Sequence, residues 1–167
     1  QQPSPDLFYF PTALVASPGM TTLYVANSDF DLRFSGGSVF AMDLRAMRES
    51  TAPIAQRIAA GESPDDACRA AGRDRNPDPW LNPGPCDAFP APPFVGRSAF
   101  IGAFASSLNL VHNPDGSGAR LFTPVRGDPS VTYFDVQDDR GADAATPATF
   151  ELDCAARSDG FCATAHR

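Results

Sequence analysis

The residues best suited to chemistry in this chain are short carboxylates and amides grouped in loops. Asn27-Ser28-Asp29-Phe30-Asp31 is the densest group. Oxygen-bearing side chains at alternate loop positions can wrap Ca²⁺, which takes about six to eight oxygen ligands. Asn27, Asp29 and Asp31 are therefore the candidate metal ligands, and calcium the candidate ion. The glycine and the distal glutamate of an EF-hand loop are missing. The same residues suit an Asx turn, in which short side chains accept from nearby backbone N–H groups and cap a strand. The turn is the expected reading. Asp135, Asp138 and Asp139 stand beside Arg140 and read as a solvated loop.

His112 and His166 are the only histidines. A nucleophilic site needs a base oriented by a carboxylate and a nucleophile on a tight turn. No Gly-x-Ser-x-Gly is present and no serine stands out, so no catalytic residue is assigned. His112 precedes a turn and is expected at the surface. Arg126-Gly127-Asp128 spells an adhesion tripeptide, but Pro129 makes a hairpin turn the simpler reading. Trp80 is expected to seal a small satellite core under a long loop.

The four cysteines fall into two local pairs, Cys68 with Cys86 and Cys154 with Cys162. Neither pair has the closely spaced pattern of a zinc site. Cys154, Cys162 and His166 could supply three ligands, yet two disulfides closing short loops is the expected arrangement. Disulfides imply an oxidising compartment, so the expected location is extracytoplasmic: periplasm, outer membrane or cell surface.

The bulk chemistry excludes several partners. The chain of 167 residues carries 13 basic and 20 acidic side chains, a formal charge of −7, and every basic residue is arginine. Phosphate neutralisation dominates nucleic-acid binding, so an acidic chain without a basic stripe is not expected to bind DNA or RNA. No apolar run reaches the roughly 18 residues of a membrane helix. The 43% hydrophobic content suits a folded domain, and 17 prolines with 13 glycines make the chain turn often.

Two stretches organise the chain, residues 7–44 and 98–136. In the first, Thr21 to Asn27 is rich in β-branched and aromatic types, and Ser38 to Leu44 alternates between two faces, so both read as strands. In the second, Ala99 to Ala105, Ser107 to Val111, Ala119 to Val125 and Ser130 to Val136 read as strands around the Asn113-Pro114-Asp115-Gly116 turn. The stretches are alike. Each has a strand opening Leu-aromatic (Leu23-Tyr24, Leu121-Phe122) and a strand ending apolar-Asp-apolar (Met42-Asp43-Leu44, Phe134-Asp135-Val136). Repeats of about 40 residues built from short strands are the mark of propeller blades; a β-sandwich is the competing architecture. Residues 45–93 form an insert with helical character from Ala52 to Ala60. A second helix starts at Ser63-Pro64-Asp65-Asp66, with Ser as cap and Pro at the first position. The Cys68–Cys86 pair staples this insert. Residues 148–167 read as the start of a further unit.

Leu23-Tyr24-Val25-Ala26-Asn27, followed by Gly37-Ser38-Val39-Phe40-Ala41-Met42-Asp43, resembles the YVTN-type β-propeller repeat. The second stretch resembles it more loosely, with Pro124-Val125 where the repeat has x-Asn. The layout is similar to large extracytoplasmic propeller lipoproteins of bacteria. The expected fold is all-β: a partial β-propeller of about two blades with a small helical, disulfide-stapled insert. A closed ring needs at least four blades, so the expectation is a piece of a longer polypeptide whose remaining blades are its partners. The expected function is a non-catalytic scaffold or binding module for a protein, peptide or glycan. The alternative is a piece of a propeller enzyme of the lactonase or dehydrogenase kind with a metal in its channel.

Overall fold

The computed structural model describes residues 1–78, 80, 84–143 and 145–167. Pro79 and residues 81–83, in the proline-rich part of the insert, and Ala144 lie outside the described residues. The chain divides into two compact units, residues 1–44 with 91–167, and residues 45–90.

The described residues of the larger unit form seven strands: β1 (Pro11–Ala16), β2 (Thr22–Asn27), β3 (Gly37–Asp43), β4 (Val95–Ile101), β5 (Asn109–His112), β6 (Ala119–Val125) and β7 (Ser130–Val136). They form two antiparallel sheets, ordered β1-β2-β3-β4 and β5-β6-β7. Each is a meander in which sequence neighbours pair. Pro11 and Pro124 sit where a missing N–H is tolerated: Pro11 opens the edge strand β1, and Pro124 pairs with Val131 near the end of β6. Residues 98–101, read from the sequence as opening the second stretch, instead belong to β4 and close the first sheet against β3. Local pattern shows that a stretch is a strand, not which strand it pairs with. Residues 148–167, expected to start a further unit, contribute an isolated bridge to β7: Asp135 and Asp153 exchange backbone hydrogen bonds of 2.8 and 2.9 Å.

The core lies between the sheets. Side chains alternate across a strand, so Tyr24, Ala26, Val39, Ala41, Ala99 and Ile101 share one face of the first sheet. They pack against Ala119, Leu121, Val125, Phe134 and Val136 of the second, with the Cys154–Cys162 disulfide in the same cluster. On the far face of the first sheet, Val25, Phe40 and Met42 are buried too, and Phe8 lies 5.8 Å from Phe40, ring to ring.

The strand registers relate the sheets. Leu23 faces Met42 and Leu121 faces Phe134; one step back, Thr22 faces Asp43 and Arg120 faces Asp135. The two Leu-aromatic strands thus meet their apolar-Asp strands in the same register. The equivalent side chains point the same way rather than toward each other. Tyr24 belongs to the core between the sheets, while its counterpart Phe122 lies on the face of the second sheet turned away from that core. Leu121 is in the core and its counterpart Leu23 is not. The sheets therefore stack head to tail.

The smaller unit contains most of α1 (Leu44–Ala59) and all of α2 (Pro64–Ala70). Helix α1 starts eight residues before the Ala52 expected from sequence, because Arg45-Ala46-Met47-Arg48-Glu49 are good helix formers; Ser50 and Thr51 within it satisfy their hydroxyls on the carbonyls of Ala46 and Met47. Ser63 caps α2 by accepting from the Asp66 N–H at 3.2 Å, and its hydroxyl also bonds the Asp66 carboxylate at 2.6 Å. Cys68–Cys86 is formed, and its sulfurs join Ile54 and Ala67 in a small core with Ile58 and Phe89 against it. Trp80 is not part of that core: it is 96% exposed.

Candidate functional site

Three connections and the segment before β1 converge at one end of the larger unit: residues 28–36 after β2, residues 102–107 after β4, and the turn 126–129 after β6. Backbone hydrogen bonds tie them together. Ser28 N–H donates to the Phe10 carbonyl at 2.9 Å, Phe104 N–H to Ser28 at 2.7 Å, and Arg126 N–H to Phe104 at 3.3 Å. The Thr12 hydroxyl adds a bond of 2.9 Å to the Ala105 carbonyl.

Strain gathers here. Seven of the described non-glycine residues have positive φ, and four lie at this rim: Phe10 at 48°, Asp29 at 52°, Leu32 at 54° and Phe104 at 62°. Each costs about 1 kcal/mol relative to a glycine. The rim is also apolar outward. Phe30 is 64% exposed, Leu32 61% and Phe10 48%, and the Phe30 ring lies 6.3 Å from Phe10 and 5.8 Å, edge-on, from Phe104.

The proposed calcium residues sit at the base of this rim, and their oxygens hold the loop. Asn27 is buried; it accepts from Tyr9 N–H at 3.4 Å and donates to the Ser38 hydroxyl at 3.1 Å. Asp29 is buried as well. Its Oδ1 accepts from Phe34 N–H at 3.0 Å and its carbonyl from Leu32 N–H at 3.1 Å, which makes it a turn organiser. Its Oδ2 is buried without a hydrogen bond. Burial pushes the Asp29 pKa up, the Phe34 amide offsets part of that, and Asp31 raises it further. The neighbouring Tyr9 hydroxyl is pushed up to about 12, chiefly by burial, with Ser38 lowering and Asp29 raising it. Asp31 stays at the surface, where it accepts from Arg33 N–H at 3.2 Å. The structure thus brings Asn27 and Asp29 into one buried polar group with Tyr9 and Ser38 and leaves Asp31 outside it. Among the described residues, no three of the His, Cys, Asp and Glu side chains come together as metal donors.

The other candidates separate. Asp135 pairs with Arg120 at 2.8 Å on the outer face of the second sheet. Asp138 pairs with Arg140, whose hydrogen bonds bring its pKa down to about 2. Asp139 is not in a solvated loop: it is 3% exposed and anchors the β1–β2 turn. Its carboxylate accepts from the Ser17 hydroxyl, the Thr21 hydroxyl at 2.7 Å, and the N–H groups of Gly19 and Thr21 at 2.9 and 3.3 Å. No local signal marks Asp139, since its partners lie about 120 positions away.

His112 is half-buried rather than at the surface, with Nδ1 3.5 Å from Asp138. His166 stacks on Tyr133 at 4.4 Å. Cys154 and Cys162 are joined in a disulfide, so they offer no thiolate to a metal. Asp128 of the Arg-Gly-Asp turn pairs with Arg167 at 2.8 Å. In the smaller unit an apolar groove of about 700 Å³ runs between one side of α1 (Ile54, Ala55, Ile58) and residues Cys86 to Phe89.

No known protein family, curated protein or solved structure matches the chain. The architecture therefore defines its class: a mostly-sheet protein of two antiparallel sheets with two helices and two disulfides. The disulfides point to an oxidising environment. Among the described residues, no helix is long and apolar enough to cross a membrane.

Proposed function

We propose that the chain is part of an extracytoplasmic β-propeller-type scaffold, non-catalytic, that binds a protein, peptide or glycan through its loop rim. The observation that carries this reading is the head-to-tail stacking of two sheets in matching register. In a sandwich made by a twofold, equivalent residues from both sheets meet in the core. Here Tyr24 faces the neighbouring sheet and its counterpart Phe122 faces outward, which is the relation that repetition about an axis requires. The outer face of the second sheet would then receive the next blade, and the parent polypeptide would be anchored at the cell surface or in the periplasm.

The binding half of the reading rests on the rim. Strained backbone and exposed aromatic side chains concentrate there, and both are features of recognition loops held by a rigid framework. The candidate carboxylates and histidines, by contrast, are engaged in turns, ion pairs and stacking. The test is to screen oxidised protein on peptide and glycan arrays beside a panel of lactone, ester and alcohol substrates. Binding abolished by Phe30→Ser, without turnover, supports the reading. Turnover of any substrate, or binding indifferent to Phe30→Ser, overturns it.

A further inference from the structure

The exposed rim has a feature that narrows its partner. Its most prominent segment, Phe30-Asp31-Leu32-Arg33, alternates apolar, acidic, apolar and basic side chains. All four are exposed. Among the described residues Asp31 meets no cation: its hydrogen bond is to the backbone N–H of Arg33. Among those residues Arg33 meets no carboxylate either, lying only loosely over the Phe34 ring at 5.9 Å. Of the other arginines in the same unit, Arg120, Arg140, Arg157 and Arg167 pair with aspartates, while Arg97 and Arg126, like Arg33, meet no carboxylate among the described residues. The rim therefore offers both an unneutralised anion and an unneutralised cation on either side of an exposed leucine.

Leu32, like Phe10 beside it on the rim, combines a positive φ with exposure. At φ 54° a glycine or asparagine is the unstrained choice, yet a branched apolar residue stands there, 61% exposed. Strain and exposure are both unfavourable, and burial of the side chain inside the chain does not offset them. A contact outside the chain would. The surface that complements apolar, acidic and basic groups in this order is the same segment in reverse. A twofold axis through the Leu32 tip sets Leu32 on Leu32 and Phe30 beside the facing rim, and it places Asp31 of one copy against Arg33 of the other. Such isologous contacts are the commonest form of self-association.

We propose that this rim is a self-recognition surface whose occupant is a second copy of the same chain, joined by the Phe30–Leu32 tips and two reciprocal Asp31–Arg33 ion pairs. The proposal rests on the reading of the rim as a binding surface and names its partner. The patch is smaller than the roughly 800 Å² per partner of a stable interface, so the dimer is weak and reversible and its ion pairs are sensitive to salt.

Sedimentation velocity on the full, oxidised chain, over about a hundredfold range of concentration, reads the association. Wild type is expected to shift from monomer toward dimer across that range. Leu32→Asn removes the apolar tip while suiting the positive φ, so it should keep the thermal midpoint and weaken association at least about tenfold. Asp31→Arg and Arg33→Asp should each weaken it, and the double exchange Asp31→Arg with Arg33→Asp should restore it to within about threefold. A wild type that stays monomeric throughout overturns the proposal, as does a double exchange no stronger than the single ones. If the protein is monomeric yet an array ligand still binds and Phe30→Ser abolishes that binding, the self-recognition is wrong and the rim reading stands. If neither is seen, both fall. Phe30→Ser serves as the second association-breaking variant should Leu32→Asn lower the midpoint.

Discussion

Two buried aspartates mark opposite ends of β2, and the chain treats them differently. Asp139 reaches the start of the strand, where two hydroxyls and two backbone N–H groups saturate its carboxylate. Asp29 follows the end of the strand, where Phe34 N–H serves one oxygen and the other is left bare. Burial would raise the Asp139 pKa, but the hydrogen bonds from Ser17, Gly19 and Thr21 outweigh it and hold the group below the ordinary carboxylate range. At Asp29 the balance falls the other way. One end is a lock in which burial is fully compensated. The other carries burial that is only partly compensated, positive φ and exposed rings together, which is where a binding surface can be built without disturbing the core.

The sharpest way to break this contrast is Asp139→Ala. It strands two hydroxyls and two amides in a buried turn and should cost about 3–4 kcal/mol in urea unfolding; a loss below about 1 kcal/mol would mean the turn is not locked. Next, replacing Cys154 and Cys162 together with alanine should cost about 2–3 kcal/mol from the freed loop. Phe100 N–H donates to Gly160 and Cys162 N–H to Phe100, and Ile101, next to Phe100, pairs with Gly37 at the rim end of β3. Hydrogen exchange should therefore accelerate first at residues 100–104 and last at residues 21–24. Uniform acceleration would show that the two ends are not independent.

The pH dependence separates the aspartates by sign. Asp139 has a lowered folded pKa, so its stabilisation is present above the unfolded value, about 4, and is lost as pH falls through the folded value. Asp29 has a raised folded pKa, so its stabilisation is present below about 4 and is lost as pH rises through the folded value. Unfolding free energies from about pH 2 to about pH 7 should show Asp139→Asn flattening the acid limb. Asp29→Asn, which keeps the acceptor for Phe34 N–H and suits positive φ, should gain up to about 1 kcal/mol at neutral pH. A loss there would mean that the ionised carboxylate is required. The smallest effect is Leu32→Asn, within about 0.5 kcal/mol of wild type on the stabilising side; a clear loss would show that the leucine packs inward.

Several parts of this architecture were legible in the sequence. Alternation and turn chemistry located β2, β3, β6 and β7, because a half-buried strand must alternate whatever it pairs with. Ser63-Pro64 located the start of α2, because a cap is satisfied within three residues. The cysteine pairs were legible because each closes a short loop. Asp29 was read as a turn organiser from its own neighbours, and Phe34 N–H supplies that bond. The partner of β4, the burial of Asp139 and the exposure of Trp80 were not legible, since each depends on residues far away in the chain.

By itself, then, the sequence determined the local elements, the two covalent staples and the likeness of the two Leu-aromatic and apolar-Asp strand pairs, all of which are set by contacts a few residues long. Only the tertiary structure decided which edge β4 joins, that the sheets stack with equivalent residues pointing the same way, and that Asp139 is saturated while Asp29 is not. These depend on pairings across dozens of residues, where closing the intervening loop has little sequence preference and the outcome is chosen by how well whole faces bury one another.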